Sequence, residues 1–416
     1  MFFIYQILIT TVILFSPLII LIRIIKNKED KIRFKEKLCF FSKKRGNGKL
    51  IWFHGASVGE ILSVMPLIQK YENNKSIDKI LITSNTLSSL KVIKKYKFKK
   101  TIHQFFPVDH IILTNKFLKY WKPHVAIFID SEIWPSMTIA LKNRKIPLIL
   151  LNARITKKSF KRWIKLKKFS QEIFGNITLA YPQNIETKKF LKRLNVNNIK
   201  DIGNLKLIEN TNSKHDDINK KLNSEFKKHK IWIAASTHPG EEIFCAKSHI
   251  ELKKKNKNLL TIIIPRHIHR VQEIISQMKS FNLKVATHSS KIKILNHIDI
   301  YIVDTFGETK KFFKIGNTVL MGGTIAPKGG QNPLEAARYG SKILHGPNID
   351  NFKDVFRLLK SLNVSKEIKS IKKLVSSITF KKNLKGTVKI KKIGRLIQKK
   401  AIKELKQFID NAPKKT

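Results

Sequence analysis

Short runs of apolar and β-branched residues recur along the chain, each followed by a longer stretch with helical spacing. The first set is KLIWF from Lys49, KILIT from Lys79, VAIFI from Val125, IPLILL from Ile146 and NITLAY from Asn176. The second is IWIAAS from Ile231, LLTIIIP from Leu259, LKVAT from Leu283, DIYIVD from Asp299, TVLMGG from Thr318 and SKILHG from Ser341. These runs are continuous rather than alternating, as expected of strands buried on both faces of a parallel sheet. Strands alternating with helices predict the α/β class and two doubly wound halves. The polar, Asn- and Lys-rich stretch 206–230 separates them as a linker, leaving Rossmann-like domains over 25–205 and 231–395. A chain of 416 residues is long enough for two such cores.

Both ends of the chain break this rhythm. The first 22 residues carry no charge and lead into the basic stretch RIIKNKEDKIRFKEK. That length can cross a bilayer. No basic segment precedes the apolar run and no small-residue cleavage site follows it, so a retained anchor over 1–24 is predicted rather than a signal peptide. Lys and Arg on its C-terminal side place the body in the cytoplasm, against anionic head groups. Pro17 leaves open a helix lying partly in the interface. At the other end, 396–416 reads as a basic helical tail closing in a disordered-looking APKKT.

Charge adds a preference for phosphate-rich surfaces without choosing among them: 83 Lys and Arg face 29 Asp and Glu, a net +54. Only 12 of the 83 are Arg, in a chain also rich in Ile and Asn, so part of the excess reads as a compositional bias toward Lys. The phenylalanines lie inside apolar runs rather than among the basic residues, which disfavours a single-strand nucleic-acid binder. Cys39 and Cys245 stand outside any CxxC pattern, and His267 and His269 have no partner at ligand spacing, so neither a disulfide framework nor a metal site is predicted. A phosphate-cradling G-x-x-x-x-G-K-[ST] and a dinucleotide GxGxxG are both missing.

Candidate chemistry gathers at strand ends, where ligands bind in such sheets. FHGASVGE, 53–60, places Ser57 and Glu60 at the S-x-x-E spacing of a capping box. The same glutamate is the candidate base, and Gly55 and Gly59 leave room for a ligand beside it. DSEIWP at 130–135, NARIT at 152–156 and GNLK at 203–206 add Asp130, Glu132, Arg154 and Lys206. In the second half ASTHPGEE at 235–242 opens as FHGASVGE does. PRHIHR at 265–270 offers Arg266, DTFGE at 304–308 offers a turn and an acid, and GGTIAPKGGQNPLEAARYG at 322–340 joins a glycine loop to a helix start. The last three, at strand ends converging on one crevice, read as a nucleotide site, whereas the first-half residues taken singly are ordinary strand-end chemistry.

In this order, and after an N-terminal anchor, the eight blocks HGASVGE, DSEIWP, NARIT, GNLK, ASTHPGEE, PRHIHR, DTFGE and GGQNPLE resemble the 3-deoxy-D-manno-octulosonic acid (Kdo) transferases of lipopolysaccharide assembly. The resemblance runs from residue 1 to about 395. It implies a GT-B fold, CMP-Kdo as donor, a lipid A precursor (lipid IVA) as acceptor, and an inverting transfer with neither metal nor cofactor. Matched motif by motif, Glu60 takes the place of the general base. Pro265, Arg266, Phe306, Gly307, Glu308, Asn332, Pro333, Leu334 and Glu335 take those of the CMP-binding segments. Glu132 and Lys206 match positions that assist the transition state. The chain departs from the family's usual Glu at Asp130, Met at Phe306, His at Gln331 and Ala at Gly55. A GT-B transferase using a UDP-sugar on another membrane lipid is the competing reading.

Overall fold

A computed structural model describes residues 1–209, 217–290 and 295–410. The chain divides into two compact units, Met1–Asn212 with Ile393–Thr416, and Ser213–Lys392. The chain passes between the units twice, once within the stretch 206–230 and again at Lys392 and Ile393. Of that stretch 210–216 lies outside the described residues, while Lys220–Lys227 is helical and buries Phe226.

The first unit is built on six strands: β1 (Leu50–His54), β2 (Lys79–Ser84), β3 (Thr101–Phe105), β4 (Val125–Ile129), β5 (Leu148–Ala153) and β6 (Leu179–Pro182). All pair in parallel in the order β3-β2-β1-β4-β5-β6. Every residue of β1 and β4 is buried, as their unbroken apolar runs require. Trp52, Phe117 and Phe128 pack at their centre, each large side chain contributing roughly 1.5–3 kcal/mol by leaving water. β3 has no apolar run to announce it. It is an edge strand whose His103 bonds the Ser84 hydroxyl (2.9 Å), with the Arg33 guanidinium donating to the His103 carbonyl (2.8 Å).

The second unit has seven parallel strands: β7 (Lys230–Thr237), β8 (Leu259–Pro265), β9 (Val285–Thr287), β10 (Ile300–Ile302), β11 (Thr318–Met321), β12 (Lys342–His345) and β13 (Ser365–Glu367). Their order is β13-β12-β11-β7-β8-β10-β9. β13, of sequence SKE, is a second polar edge strand that the hydrophobic pattern leaves out. In each sheet the order reverses beside the first strand, between β1 and β4 and between β7 and β11. Such switch points carry the ligand sites of doubly wound folds. Two Rossmann-like units of this kind make up the GT-B architecture.

Both chain ends are helical. Among the described residues no single helix is long and apolar enough to cross a membrane, whereas Phe2–Leu14 and Ser16–Ile25, bent by 52° at the break, together have the length and composition to do so. Pro17 sits in the first turn of the second helix, where its missing N–H costs nothing. The first helix is tied to its unit by polar residues. The Tyr5 hydroxyl donates to Asp109 (2.7 Å), and the Gln6 amide donates to Ser136 (2.8 Å) and accepts from the Ile111 N–H (3.0 Å). Phe3, Ile7, Leu8, Val12 and Leu18 are exposed. The stretch 396–410 is not a free tail but the end of a 27-residue helix, Leu384–Asp410. Ile397, Ala401, Leu405 and Ile409 recur at helical spacing and are buried. APKKT lies outside the described residues.

Candidate functional site

In the first unit the polar residues gather at the β1–β4 switch point. After His54 the chain turns through Gly55 and enters the helix Val58–Glu72 with Ser57 as its cap. The capping box is present: the Glu60 N–H donates to Ser57 Oγ (3.4 Å) and the Ser57 N–H to Glu60 Oε2 (3.4 Å). Shorter bonds come from the Ala56 N–H to Oε2 (2.7 Å) and from the Ser57 hydroxyl to Oε1 (2.8 Å). A Cβ on Gly55 would lie 3.1 Å from that of Glu60, whereas one on Gly59 would meet nothing within 4 Å. Burial pushes the Glu60 carboxyl from its ordinary 4.5 up to about 7. The negative charges of Glu132 and then Asp130 add to this, against the hydrogen bonds from Ser57 and Ala56.

Glu132 is held from two sides, by His54 Nε2 (3.0 Å) and by the donating Trp134 indole N–H (2.8 Å). His54 is fully buried, stacked on Phe106 with centroids 3.9 Å apart, and its Nδ1 meets Thr83 Oγ1 (2.9 Å). The motif reading took no account of His54; its signal was a polar residue closing an otherwise apolar strand. Asp130 has φ +65, a left-handed conformation rare away from glycine. Burial raises its carboxyl above the usual range, countered by Lys206, whose Nζ lies 3.7 Å away, and by Arg154. Asn152, also left-handed at φ +54, accepts the Leu205 N–H through Oδ1 (2.9 Å) and so fixes the turn that carries Lys206. Glu60, Asp130, Glu132 and Lys206 therefore form one electrostatic group, though GNLK follows HGASVGE by more than 140 positions.

The second unit brings its motifs to the C-terminal ends of four adjacent strands, β11, β7, β8 and β10. Glu241, the acid that parallels Glu60, has a different use. Its buried carboxylate accepts from the backbone N–H groups of His238 (3.0 Å), Gly323 (2.8 Å), Thr324 (3.2 Å), Ile325 (2.9 Å) and Ala326 (3.1 Å). It is thus the anion of a backbone nest, pinning the GGTIA loop to β7. Gly322 is required there, since a Cβ would lie 2.1 Å from the Ser236 carbonyl oxygen. Glu242 and Arg270 form a buried ion pair (2.8 Å), which makes the last residue of PRHIHR structural.

The residues matched to the CMP segments take varied places. Pro265 ends β8 and is buried; Arg266 is exposed, its N–H donating to the Thr237 carbonyl (3.0 Å). Phe306 is 91% exposed and Gly307 is left-handed. Glu308 pairs with Lys311 (2.6 Å), and Glu335 with Lys310 (3.3 Å), so successive lysines of the helix Thr309–Ile315 link the two acids. Asn332 Oδ1 accepts the Leu334 N–H (3.1 Å) across Pro333, and Leu334 is fully buried. Among the described residues no three His, Cys, Asp or Glu side chains are grouped so as to hold a metal ion.

Comparison with known proteins bears on both units. Residues 32–208 match the profile of the 3-deoxy-D-manno-octulosonic-acid transferase (kdotransferase) family. The chain is 35% identical over 331 residues to the 3-deoxy-D-manno-octulosonic acid transferase of Rickettsia felis, covering 80% of this chain and 71% of that protein. To the Haemophilus influenzae enzyme of the same name it is 28% identical over 362 residues, 83% and 82% of the two chains. Among solved structures, a UDP-GlcNAc 2-epimerase from Neisseria meningitidis aligns over 86% of this chain and all of its own, with TM-score 0.57 at 13% identity, a likeness of fold. The chain belongs to the 3-deoxy-D-manno-octulosonic acid transferases, glycosyltransferases of lipopolysaccharide biosynthesis.

Proposed function

We propose that the chain transfers Kdo from CMP-Kdo to a hydroxyl of a lipid A precursor (lipid IVA), with inversion and with Glu60 as general base. The observation that carries this is the Glu60 carboxyl held at about 7 beside Glu132 and Asp130. A base titrating near neutral pH is half in its acceptor form yet basic enough to take a hydroxyl proton. One base suffices, because the acceptor hydroxyl attacks the anomeric carbon while CMP departs from the opposite face with its charge already in place. This differs from glycoside hydrolysis, which needs paired acids.

Glu60 can accept the proton on Oε1 while Oε2 keeps the Ala56 N–H and Oε1 the Ser57 hydroxyl, because a carboxylate has about four acceptor sites. Glu132, fixed by His54 and Trp134, keeps a second negative charge nearby. Lys206 offsets Asp130 and is matched to the group that steadies the transition state. The second unit is proposed to bind the donor, with Arg266 on its phosphate, Asn332, Pro333, Leu334 and Glu335 at the nucleoside, and the turn Phe306–Glu308 beside it. Fixed cations take the place of a metal or a general acid for the leaving phosphate.

The exposed apolar side chains of the two leader helices, followed by basic residues, support attachment at the cytoplasmic face of the inner membrane, where the acylated acceptor lies. Two of the three acids within that basic stretch are buried in the fold, Glu29 taken by Arg23 and Lys37 and Glu36 by Arg33. Donor competition tests the reading. Transfer is expected to be inhibited by CMP and unaffected by equal UDP or UMP; inhibition by the uridine nucleotides instead would favour a UDP-sugar transferase.

A further inference from the structure

Two polar atoms at the end of β7 have no partner among the described residues. Thr237 is fully buried and its Oγ1 makes no hydrogen bond; His238 is 8% exposed and its Nε2 makes none. Buried polar groups are nearly always paired, so an orphaned donor calls for an explanation. Here the backbone is shaped to present them. The β7–β8 register shifts between Ala235 and Thr237, and Ser236 is left-handed at φ +58. Such strain persists where the surrounding structure enforces it, often at ligand sites.

The surroundings decide what would complete the pair. Arg266 bonds through its N–H to the Thr237 carbonyl and exposes its side chain. The His267 ring lies 5.9 Å from that of His238, and His269 follows at 5.5 Å from His267. His238 and Lys328 face each other across Gly323, where a Cβ would lie 3.3 Å from both. Lys328 is exposed, so its side chain can swing without loss of packing. Among the described residues the acid acting on His238 is Glu241, and its carboxylate already accepts the five backbone N–H groups of the nest. Unpartnered hydroxyl and imidazole groups ringed by Arg266, His267 and Lys328 suit an anion and repel a cation.

We propose that Thr237 Oγ1 and His238 Nε2 form an oxyanion subsite of the donor, each donating to an oxygen of its phosphate or of its sugar carboxylate. This rests on the CMP-Kdo reading above and adds to it two residues outside the CMP-binding segments. The subsite also gives the Glu241 nest a purpose, because the nest holds Gly323 and the backbone of His238 where the two donors converge.

Calorimetric titration of the full chain in detergent with CMP, cytidine and UMP tests it, alongside donor KM, in Thr237→Val and His238→Phe. Wild type is expected to bind CMP; failure to do so would remove the donor reading itself, whatever the variants show. If the subsite holds phosphate, each variant loses at least tenfold in CMP affinity while cytidine binding is unchanged. If it holds the sugar carboxylate, CMP affinity stays and KM for CMP-Kdo rises at least tenfold. Either supports the subsite. CMP affinity and donor KM both within twofold of wild type in both variants would overturn it. Ligand-free melting separates binding from folding: removing an orphaned polar atom should leave it unchanged or higher. Thr237→Ser, which keeps the hydroxyl, should bind as wild type does.

Discussion

Glu60→Gln should inactivate the enzyme and, at alkaline pH, make it more stable. A carboxyl moved from 4.5 to about 7 corresponds to about 3 kcal/mol of folding stability. The folded carboxyl is the weaker acid, so this contribution is fully present below pH 4.5 and lost as pH rises through 7. Above pH 7 the wild type therefore holds a charge it would rather not hold. Glu60 is only half-buried, so solvent screening reduces the figure to about 1–2 kcal/mol. Glutamine can serve in a capping box but loses the charge assistance to the Ala56 N–H bond, about 0.5–1 kcal/mol. The net expectation is a gain of about 1 kcal/mol at pH 8, or about 2–4 °C in melting temperature, and no gain at pH 5. Activity should fall on the order of 10²-fold or more. Thermal melts at pH 5 and pH 8, with a transfer assay on the same preparations, check all three. A melting temperature lowered equally at both pH values would show Glu60 to be an ordinary helix cap and refute the reasoning.

Three further outcomes follow from the same geometry. The acid limb of the kcat/KM profile should fall near pH 7 with activity rising above it, and Glu132→Gln should move that limb to lower pH by less than half the displacement of Glu60, since burial is the larger cause; an unmoved limb would exclude Glu132 as the neighbour. Glu241→Ala leaves five backbone N–H groups without an acceptor and should cost about 3 kcal/mol, seen in denaturant melts together with weaker CMP binding. Lys206→Met strips the buried Asp130 of its counter-charge and should cost about 1–2 kcal/mol at pH 8, a loss that shrinks at low pH, where Asp130 is protonated, and is measurable by parallel melts.

Strand identity was legible wherever both faces of a strand are covered, because burial on both faces demands an unbroken apolar run. It failed at edges. β3 reads TIHQF and β13 reads SKE, and each has one long side unpaired, so hydrogen bonding and not hydrophobicity assigns them. The strand-end motifs mark where polar groups gather, but not what each acid does. Glu60 and Glu241 both follow a strand, a hydroxyl residue and a glycine. The donors that silence Glu241 come from Gly323 to Ala326, more than 80 residues later, and no local pattern reveals them. His54 escaped for a related reason: its partner Glu132 is 78 residues away, in the loop that follows the neighbouring strand β4. The C-terminal helix shows the opposite error. Its lysines dominated the reading as a basic tail, while the apolar spacing 397, 401, 405 and 409 that seats it was already in the sequence.

The central claim is the reaction itself. Purified full-length protein incubated with CMP-Kdo and a tetraacylated lipid A precursor, followed by mass spectrometry of the extracted lipid, is expected to show an acceptor heavier by one or more Kdo residues, absent when Glu60→Gln replaces the wild type. A folded, CMP-binding wild-type protein that leaves the precursor mass unchanged would contradict the account.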